Sequence, residues 1–490
     1  MKPTCHFIRY YPYLCKPKLL SMKVLRILIL FLCCSLAANA QQQFSLQQCI
    51  ETALQNNIRL KQAKLNLSST GIDVKTSKAA MLPNLNASFT ENFNYGRNID
   101  PVTNAYIINN TQSSNIGLNS SIILFNGFQL LNNLKLAQIN YAANGTDVLA
   151  QQNDLALQVA AAFLQVMYAE DNLTNAKSQL DVTMNQRNRT EILVKAGKLS
   201  ESVLFEQDAQ QANDEYNVTI AENAIISAKL GLIQLMELPA TTQYSIMRPT
   251  IALPLSEKYD VNVIYDQAVN NRPEVKSAEL RRQAAHINEK IAYGALSPRV
   301  TLSSGINSLY SNKYRTYSGT SIVGITPIGI TQTTLDTVFA PKFINNYSAV
   351  NFNDQLNQNF GKYISLGVSV PLFNNLRVSG NIQKSRINSL NQDYNYSLTK
   401  NTLLKNIQQA ITDVESAKAK YSAALKSLEA QSTNYSNMEI RYAQGLNSYL
   451  DYISSKNNKA RAEVNAQQAK YDLILKTKII DFYRGINITL

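Results

Sequence analysis

Residues 46–85 and 261–300 align without a gap at an offset of 261 − 46 = 215, with nine identical pairs in forty positions. Ala53 falls on Ala268, Asn56 on Asn271, Lys61 on Lys276, Ala80 on Ala295 and Pro83 on Pro298. After a region of unequal length the register returns at an offset of 372 − 124 = 248. There Leu124-Phe125-Asn126 falls on Leu372-Phe373-Asn374, and Gly197 on Gly445. A repeat this long is a duplicated architecture and not a solenoid of short units. A chain with two equivalent halves is expected to use them geometrically, as parts of a ring or a wall.

The long apolar run is Val24 to Ala38, with Lys23 and Arg26 at its start and the small-x-small sequence Ala38-Asn39-Ala40 at its end. Residues 1–40 therefore read as a secretory signal peptide, with Met22 as an alternative true start. Leu32 occupies the place before Cys33 where a lipoprotein signal has a small residue. No other segment approaches the roughly 20 apolar residues of a membrane helix, so the mature chain is expected to be exported without a helical anchor. Cys5, Cys15, Cys33 and Cys34 lie in this leader, which leaves Cys49 alone and an intramolecular disulfide excluded. The leader also carries six basic residues and no acid, so the mature charge is 13 − 6 = +7. That is modest for an exported chain and argues against nucleic acid as a partner.

Between Phe128 and Lys195 there is no proline and one glycine, Gly145. Two heptad tracks run through this stretch, Val148/Leu155/Ala162/Ala169/Ala176 and Val159/Val166/Leu173/Leu180. The second half repeats them as Leu403/Ala410/Ala417/Ala424 and Ile407/Val414/Tyr421/Leu428. Such spacing predicts coiled-coil helices, each a rod of roughly 100 Å. Leu149, Ala156 and Phe163 add a neighbouring track and a second packing side. Each rod is expected to end at a glycine turn, Gly197 or Gly445, with a return helix over about 200–237 or 448–484. The half-length segments 46–81 and 261–296 are expected to stack end to end with the return helices beside the rods.

Pro83 and Pro298 end those segments, and alternation then predicts strands at 84–95, 114–125, 299–310 and 362–373. The domain reading is a first repeat over 41–237, an equatorial connector over 238–260, and a second repeat over 261–490. The second repeat's loop, 311–361, is longer by 248 − 215 = 33 residues and reads as a polar extracellular loop. Four strands cannot close a barrel, and an open sheet edge in lipid leaves backbone groups unpaired. The strands are thus expected to be shared between chains; two copies give eight strands and a filled interior, three give twelve and a lumen.

Catalytic constellations are scarce. His286 is the one histidine of the mature chain, and with Cys49 alone beside it no zinc cluster, Cys/His pair or Ser-His-Asp triad is expected. Ala196-Gly197-Lys198 lacks the remaining residues of a phosphate-binding loop. The chain is read as no enzyme and as needing no metal or cofactor.

The duplicated order of helix, strand, strand, long helix, glycine turn and helix resembles the TolC family of outer-membrane efflux ducts over nearly all of residues 44–485. Local sequences agree: Ala53-Leu-Gln-Asn-Asn57, Asn271-Arg-Pro-Glu274, Val370-Pro-Leu-Phe373 and Tyr442-Ala-Gln-Gly-Leu-Asn-Ser-Tyr-Leu-Asp451. The resemblance implies an α+β membrane protein: a homotrimer with a 12-stranded transmembrane β-barrel in outer-membrane lipid and a coiled-coil α-barrel in the periplasm. It implies a duct of a tripartite efflux system, docked to a periplasmic adaptor (membrane fusion) protein and an inner-membrane transporter. An outer-membrane component of type I protein secretion is the alternative, and a pore-less periplasmic scaffold a third. By the same resemblance Tyr442 and Asp451 match gate positions, and Glu201 or Glu206 could lend a second acid. Ser454 stands where a second acid is often found and Asn447 where an arginine can lie. The docking tip would comprise Gly197, Lys198, Leu199, Gly445, Leu446 and Asn447.

Overall fold

The structure, a computed structural model, describes residues 42–489 apart from 109, 243, 250, 252 and 254. Residues 1–40, where a signal peptide is expected, lie with their four cysteines outside the described residues. In chain order the elements are β1 (Gln42–Phe44), α1 (Leu46–Asn56), α2 (Ile58–Ala79), β2 (Asn84–Asn94), β3 (Asn98–Ile99), β4 (Tyr106–Ile107), β5 (Thr111–Phe125), α3 (Gln129–Lys195), α4 (Glu201–Met236), β6 (Tyr244–Ile246), α5 (Val261–Asn271), α6 (Pro273–Gly294), β7 (Arg299–Ser311), β8 (Arg315–Ile330), β9 (Thr337–Ala349), α7 (Phe352–Gln358), β10 (Gly361–Ser369), α8 (Arg377–Ala443) and α9 (Tyr449–Arg484).

The helices keep the duplication residue for residue. α1 and α5 both have 11 residues, α2 and α6 22, α3 and α8 67, α4 and α9 36. Their starts differ by 261 − 46 = 273 − 58 = 215 and by 377 − 129 = 449 − 201 = 248. A 67-residue helix is about 100 Å long. The chain divides into two compact units that cut across the repeat, one of residues up to 53, 159–252 and 489–490, the other of 54–158 and 253–488.

In the larger unit four antiparallel strands form one sheet in the order β10-β7-β5-β2. Each strand runs directly into, or out of, a helix, and the helices inherit the order of the strands. Gly145 of α3 lies 3.9 Å from Leu67 of α2, measured from the Cβ it lacks. Asp147 of α3 accepts from Ser277 and pairs with Arg281 of α6. Ser389 of α8 bonds His286 of α6 at 2.7 Å. The row α2-α3-α6-α8 thus continues the row β2-β5-β7-β10. Where β5 turns into α3, two successive residues are left-handed, Gly127 (φ 65°) and Phe128 (φ 61°); at β10 into α8 their equivalents Asn375 (φ 53°) and Leu376 (φ 62°) do the same. A Cβ on Gly127 would meet the Gly294 carbonyl at 2.3 Å, so only glycine lets α6 approach there.

α6 lies along the first part of α8 and α9 along the rest, so the half-length helices do stack end to end beside the rod in this unit. The expected tracks form the seam: Leu403, Ile407, Ala410, Val414 and Ala417 are buried with Ile264, Ala268, Val275, Leu473 and Ile480. Arg272 holds the junction. It is the helix-free residue between α5 and α6, 4 % exposed, with its guanidinium on Glu274 at 2.8 Å, on the Phe482 carbonyl at 3.2 Å and 3.7 Å above the Phe482 ring. Pro273 follows at the first helical turn, where its missing N–H has no partner to lose. This gives the Asn271-Arg-Pro-Glu274 sequence a structural task. In the first repeat Val148, Leu155, Val159, Val166 and Ala169 are buried, whereas of the third track Phe163 is buried and Leu149 is exposed.

In the smaller unit the connector contributes β6, which pairs in parallel with β1. Phe44 meets Tyr244 edge to face at 6.0 Å, and Arg248 pairs with Glu170 and Asp171. Cys49 is fully buried and free, and burial pushes its thiol up to about 12. α4 is long and apolar enough by composition to cross a membrane, which the sequence reading did not anticipate. Its Glu222 and Lys229 are paired with Lys177 and Glu170, so it carries fixed charge along that length.

The 311–361 loop holds the long β8–β9 hairpin and the helix α7. A Ser-His-Asp row joins α6 to α8, with Ser389 on His286 Nδ1 and Asp393 3.3 Å from Nε2. Ser389 is only 2 % exposed inside the α6–α8 seam, so no substrate reaches its hydroxyl, and the row ties two helices together.

Arg272→Ala is expected to lower stability by about 3 kcal/mol, from the orphaned carbonyl and the lost ring contact. Thermal loss of the far-ultraviolet dichroism of detergent-solubilised protein measures it. Arg272→Lys should recover little, because a point charge cannot serve carboxylate and carbonyl together. Cys49 is expected to resist maleimide in the native protein at neutral pH and to react once denatured, read by mass spectrometry.

Candidate functional site

Two regions of the chain carry features that solvated helices and strands do not need. The first is the sheet. Its register aligns Leu366 with Leu302 and Leu302 with Ile122; Ile306 with Leu118 and Leu118 with Ala87; and Ile116 with Phe89. Residues in register share a face, so most apolar side chains of the four strands lie on one side, with Ile123 and Leu309 on the other. Leu85, Phe89, Ile364, Leu366 and Val368 are each more than 60 % exposed there. The opposite face is polar: Tyr363 donates to Asn119 at 2.9 Å, beside Ser303, Asn307 and Ser121. A strip about ten residues tall, apolar on one side and polar on the other, is the pattern of a wall between lipid and water. Among the described residues the outer edges of β2 and β10 have no strand beside them.

The second region is the pair of helix reversals. α3 ends with Gly197 left-handed at φ 71°, its N–H donating to the Val194 carbonyl and the Lys198 N–H to the Leu193 carbonyl. α8 ends the same way: Gly445 at φ 74° donates to Tyr442, and Leu446 to Arg441. Both are Schellman ends, which satisfy the last carbonyls of a helix and turn the chain sharply. Three residues later a serine caps the return helix, Ser200 accepting from the Ser202 N–H and Ser448 from the Asp451 N–H. Nothing lies within 4 Å of where a side chain on either glycine would start, so the surfaces of both turns are open.

At the second reversal the structure places the expected residues as follows. Tyr442 stacks on Tyr452 with ring centroids 4.9 Å apart and 14° between planes, and meets Tyr449 at 6.1 Å. Tyr435 joins Tyr452 at 5.9 Å and donates to Glu439. Burial, then the bond to Tyr452, raises the Tyr435 phenol above its ordinary range, so it stays neutral. Asp451 is exposed; its N–H donates to the Ser448 hydroxyl oxygen, which caps α9, and its carboxylate accepts from that same hydroxyl at 2.7 Å. Asn447 donates to the Met438 sulfur at 2.7 Å, and Leu446 is 64 % exposed. Ser454 is exposed.

At the first reversal Glu201 opens α4 and Glu206 lies one turn on, both exposed; Lys198 is exposed and Leu199 half-buried. Behind them Gln207 bonds Thr190 and Arg187 bridges Asp208 and Glu191. Tyr435, Tyr449 and Tyr452 were not singled out from sequence. The seven-residue spacing of Tyr435, Tyr442 and Tyr449 was a readable signal, but their partnership crosses a turn and depends on its geometry. Among the described residues no group of three or more His, Cys, Asp or Glu side chains could hold a metal ion.

With this geometry in view, comparison with known proteins is informative. The family model for outer membrane efflux proteins matches residues 49–236 and 264–477. The toxin and drug export protein A of Aggregatibacter actinomycetemcomitans is 24 % identical over 447 residues, covering 88 % of this chain and 83 % of that protein. The fold is similar to that of CusC, known for transmembrane channel formation, with a TM-score of 0.72 at 18 % identity over 90 % of this chain and 92 % of that one. It is equally similar to the outer membrane protein VceC of Vibrio cholerae, TM-score 0.72 at 16 % identity, over 91 % and 97 % of the two chains.

Gly197→Val and Gly445→Val are each expected to cost about 1–2 kcal/mol, because a β-branched residue is forced left-handed, with no steric clash added. Ser448→Ala should cost about 1 kcal/mol through the lost cap. Thermal unfolding of the single variants measures both.

Proposed function

The chain belongs to the outer membrane efflux protein family, and we propose that three copies form the outer-membrane duct of a tripartite efflux system. The observation that carries the reading is the sheet, apolar on one face, polar on the other, with both edges open. In lipid those edges need partners, and joining β10 of one copy to β2 of the next supplies them. Three copies give the twelve strands that leave a lumen. The helix row supports the same join. α2, at one end, exposes Ile58, Leu65 and Ile72 at seven-residue spacing; α8, at the other, exposes Ile387, Leu390, Tyr394 and Leu398. A head-to-tail ring buries one stripe against the other.

In this reading the chain acts as a passive conduit and no covalent step occurs. The halves 41–237 and 261–490 are the two wall segments contributed by each copy, joined by the connector 238–260. The two glycine turns face the periplasmic adaptor, which an inner-membrane transporter accompanies, and Lys198, Leu199, Leu446 and Asn447 touch it. Leu450, 73 % exposed next to the second turn, adds apolar area to that surface. Tyr442 with its three tyrosine neighbours stiffens the tip of the second hairpin, and Asp451 narrows the duct there; Glu201 and Glu206 are the further acidic candidates for a gate. The relative named for toxin and drug export favours keeping protein secretion as the second reading. Secretion assays alongside drug-susceptibility assays of a deletion strain separate the two.

The protein is expected in the outer-membrane fraction, extracted by detergent and not by salt, and to run as a trimer by light scattering. A detergent-solubilised monomer would sink the shared barrel. The double variant Gly197→Val, Gly445→Val is expected to abolish efflux with the trimer still in the membrane; intact efflux would move docking elsewhere. Asp451→Asn is expected to lower cation selectivity in planar bilayers, as loss of a carboxylate ring does. Unchanged selectivity would leave Asp451 with its capping role alone.

A further inference from the structure

The β8–β9 hairpin is an amphipathic ribbon that one copy leaves uncovered. Its register pairs Tyr317 with Tyr347, Thr320 with Asn345, Ile322 with Phe343, Ile325 with Pro341, Pro327 with Phe339 and Ile330 with Thr337. The β9 members alternate strictly, so these pairs share one face. The β8 members do not alternate: the register shifts between Tyr317 and Gly319, between Ile322 and Ile325, and between Pro327 and Gly329. Each bulge inserts residues that would otherwise throw the next apolar side chain to the other side. Three irregularities together thus place Ile322, Ile325, Pro327 and Ile330 on the side of Phe343, Pro341 and Phe339.

That face is exposed along its length, with Ile322, Ile325 and Phe343 each above 60 %. The opposite face holds Gly319, Ser321, Thr326 and Ala340, all half-buried, with Lys342 and Asn346, and its apolar members Val338 and Ile344 are less exposed than Ile322, Ile325 and Phe343. Between the Tyr317/Tyr347 pair and the turn the apolar face has no charge. Part of its polar surface is paired within the face: the Tyr317 hydroxyl bonds the Thr320 hydroxyl, which donates to Asn345 at 3.2 Å. A face with internally paired polar atoms loses little when water is removed. The strip is about 33 Å long over the ten steps from Thr337 to Tyr347.

We propose that this face is covered by the same hairpin of neighbouring copies, so that the hairpins pack apolar face to apolar face at the extracellular end of the duct. The proposal rests on the shared-barrel reading and extends it. β8 follows β7 after a three-residue turn, and β9 returns through α7 to the open-edge strand β10. α7 is anchored on β7, Gln355 bonding both the N–H and the carbonyl of Ser311, and Tyr310 meeting Phe352 at 5.0 Å. A ring closed through β10 therefore carries one hairpin per copy at a fixed place around a common axis, at high effective concentration. Lipid suits the face poorly as an occupant. A two-stranded ribbon in hydrocarbon would leave both outer edges unpaired, whereas packing against other copies buries one face and keeps the edges in water.

Single cysteines placed in the full chain test this, since the buried Cys49 stays silent. Phe343→Cys and Ile325→Cys lie on the apolar face, Asn346→Cys on the other. In outer-membrane vesicles treated with a short bis-maleimide, Phe343→Cys and Ile325→Cys are expected to shift from monomer to dimer on denaturing gels, and Asn346→Cys to remain monomer. Three results would overturn the proposal: both apolar-face thiols uncrosslinked and freely labelled by a membrane-impermeant maleimide; both crosslinked to a different protein; or a fluorophore at residue 343 quenched by brominated lipid. The size of the same detergent-solubilised sample is read in parallel. An oligomer with uncrosslinked hairpins overturns the hairpin contact alone, and a single chain overturns the shared barrel and the contact with it.

Discussion

The backbone hydrogen bonds that β2 and β10 leave open are the constraint from which the rest of the molecule follows. In water an open edge is an aggregation risk; in hydrocarbon it costs several kcal/mol for each unpaired group. A sheet whose register gathers most of its apolar side chains, exposed, on one face is poorly suited to water as well. On the proposed reading, lipid covers the face and further copies pair the edges. Because each strand runs into a helix, the helices take the order of the strands, and α2 and α8 end the row as β2 and β10 end the sheet. The exposed leucines, isoleucines and tyrosine on those two helices have the same cause as the open edges.

Duplication is one way to satisfy this constraint. Equal helix lengths in the two halves let strand-bearing pairs sit side by side without a step between them. Small differences are absorbed locally: Gly127-Phe128 in one half and Asn375-Leu376 in the other reach the same left-handed conformation with different residues. Asparagine tolerates that region better than most side chains, which is why the repeat survives the substitution. The larger difference, the insert of 33 residues implied by the two offsets (248 − 215), falls on a loop at the end of the sheet away from the helices, where extra chain disturbs no packing.

The two helix reversals show chemistry divided from packing in a small space. The Schellman ends at Gly197 and Gly445 and the serine caps complete the hydrogen bonding of the helices, so the turns need no partner to be stable. Their outward surfaces are thus free for recognition. At Asp451 a local bond and solvent exposure coincide: the bond with Ser448 fixes its position, and the carboxylate faces outward. The tyrosine cluster behind it immobilises the hairpin tip through ring packing, with neutral phenols.

Much of the fold was legible in the sequence because it is periodic. Heptads at Leu403/Ala410/Ala417 and Ile407/Val414, prolines at 83 and 298, and glycines at 197 and 445 fixed the helices, their ends and the four strands, since each signal is local. The amphipathic hairpin was hidden because three bulges break the two-residue alternation that marks a strand. The Tyr435/Tyr442/Tyr449/Tyr452 cluster, the Ser389–His286–Asp393 row and the seat of Arg272 against Phe482 were hidden for another reason. Each joins residues from different elements, so sequence spacing carries no trace of it. The sequence by itself determined the long helices, the four strands of the sheet and their duplication, because each of those signals is local. Only the tertiary structure decided which strand edges stay open and which faces stay bare, because register and helix order depend on contacts between segments far apart in the chain.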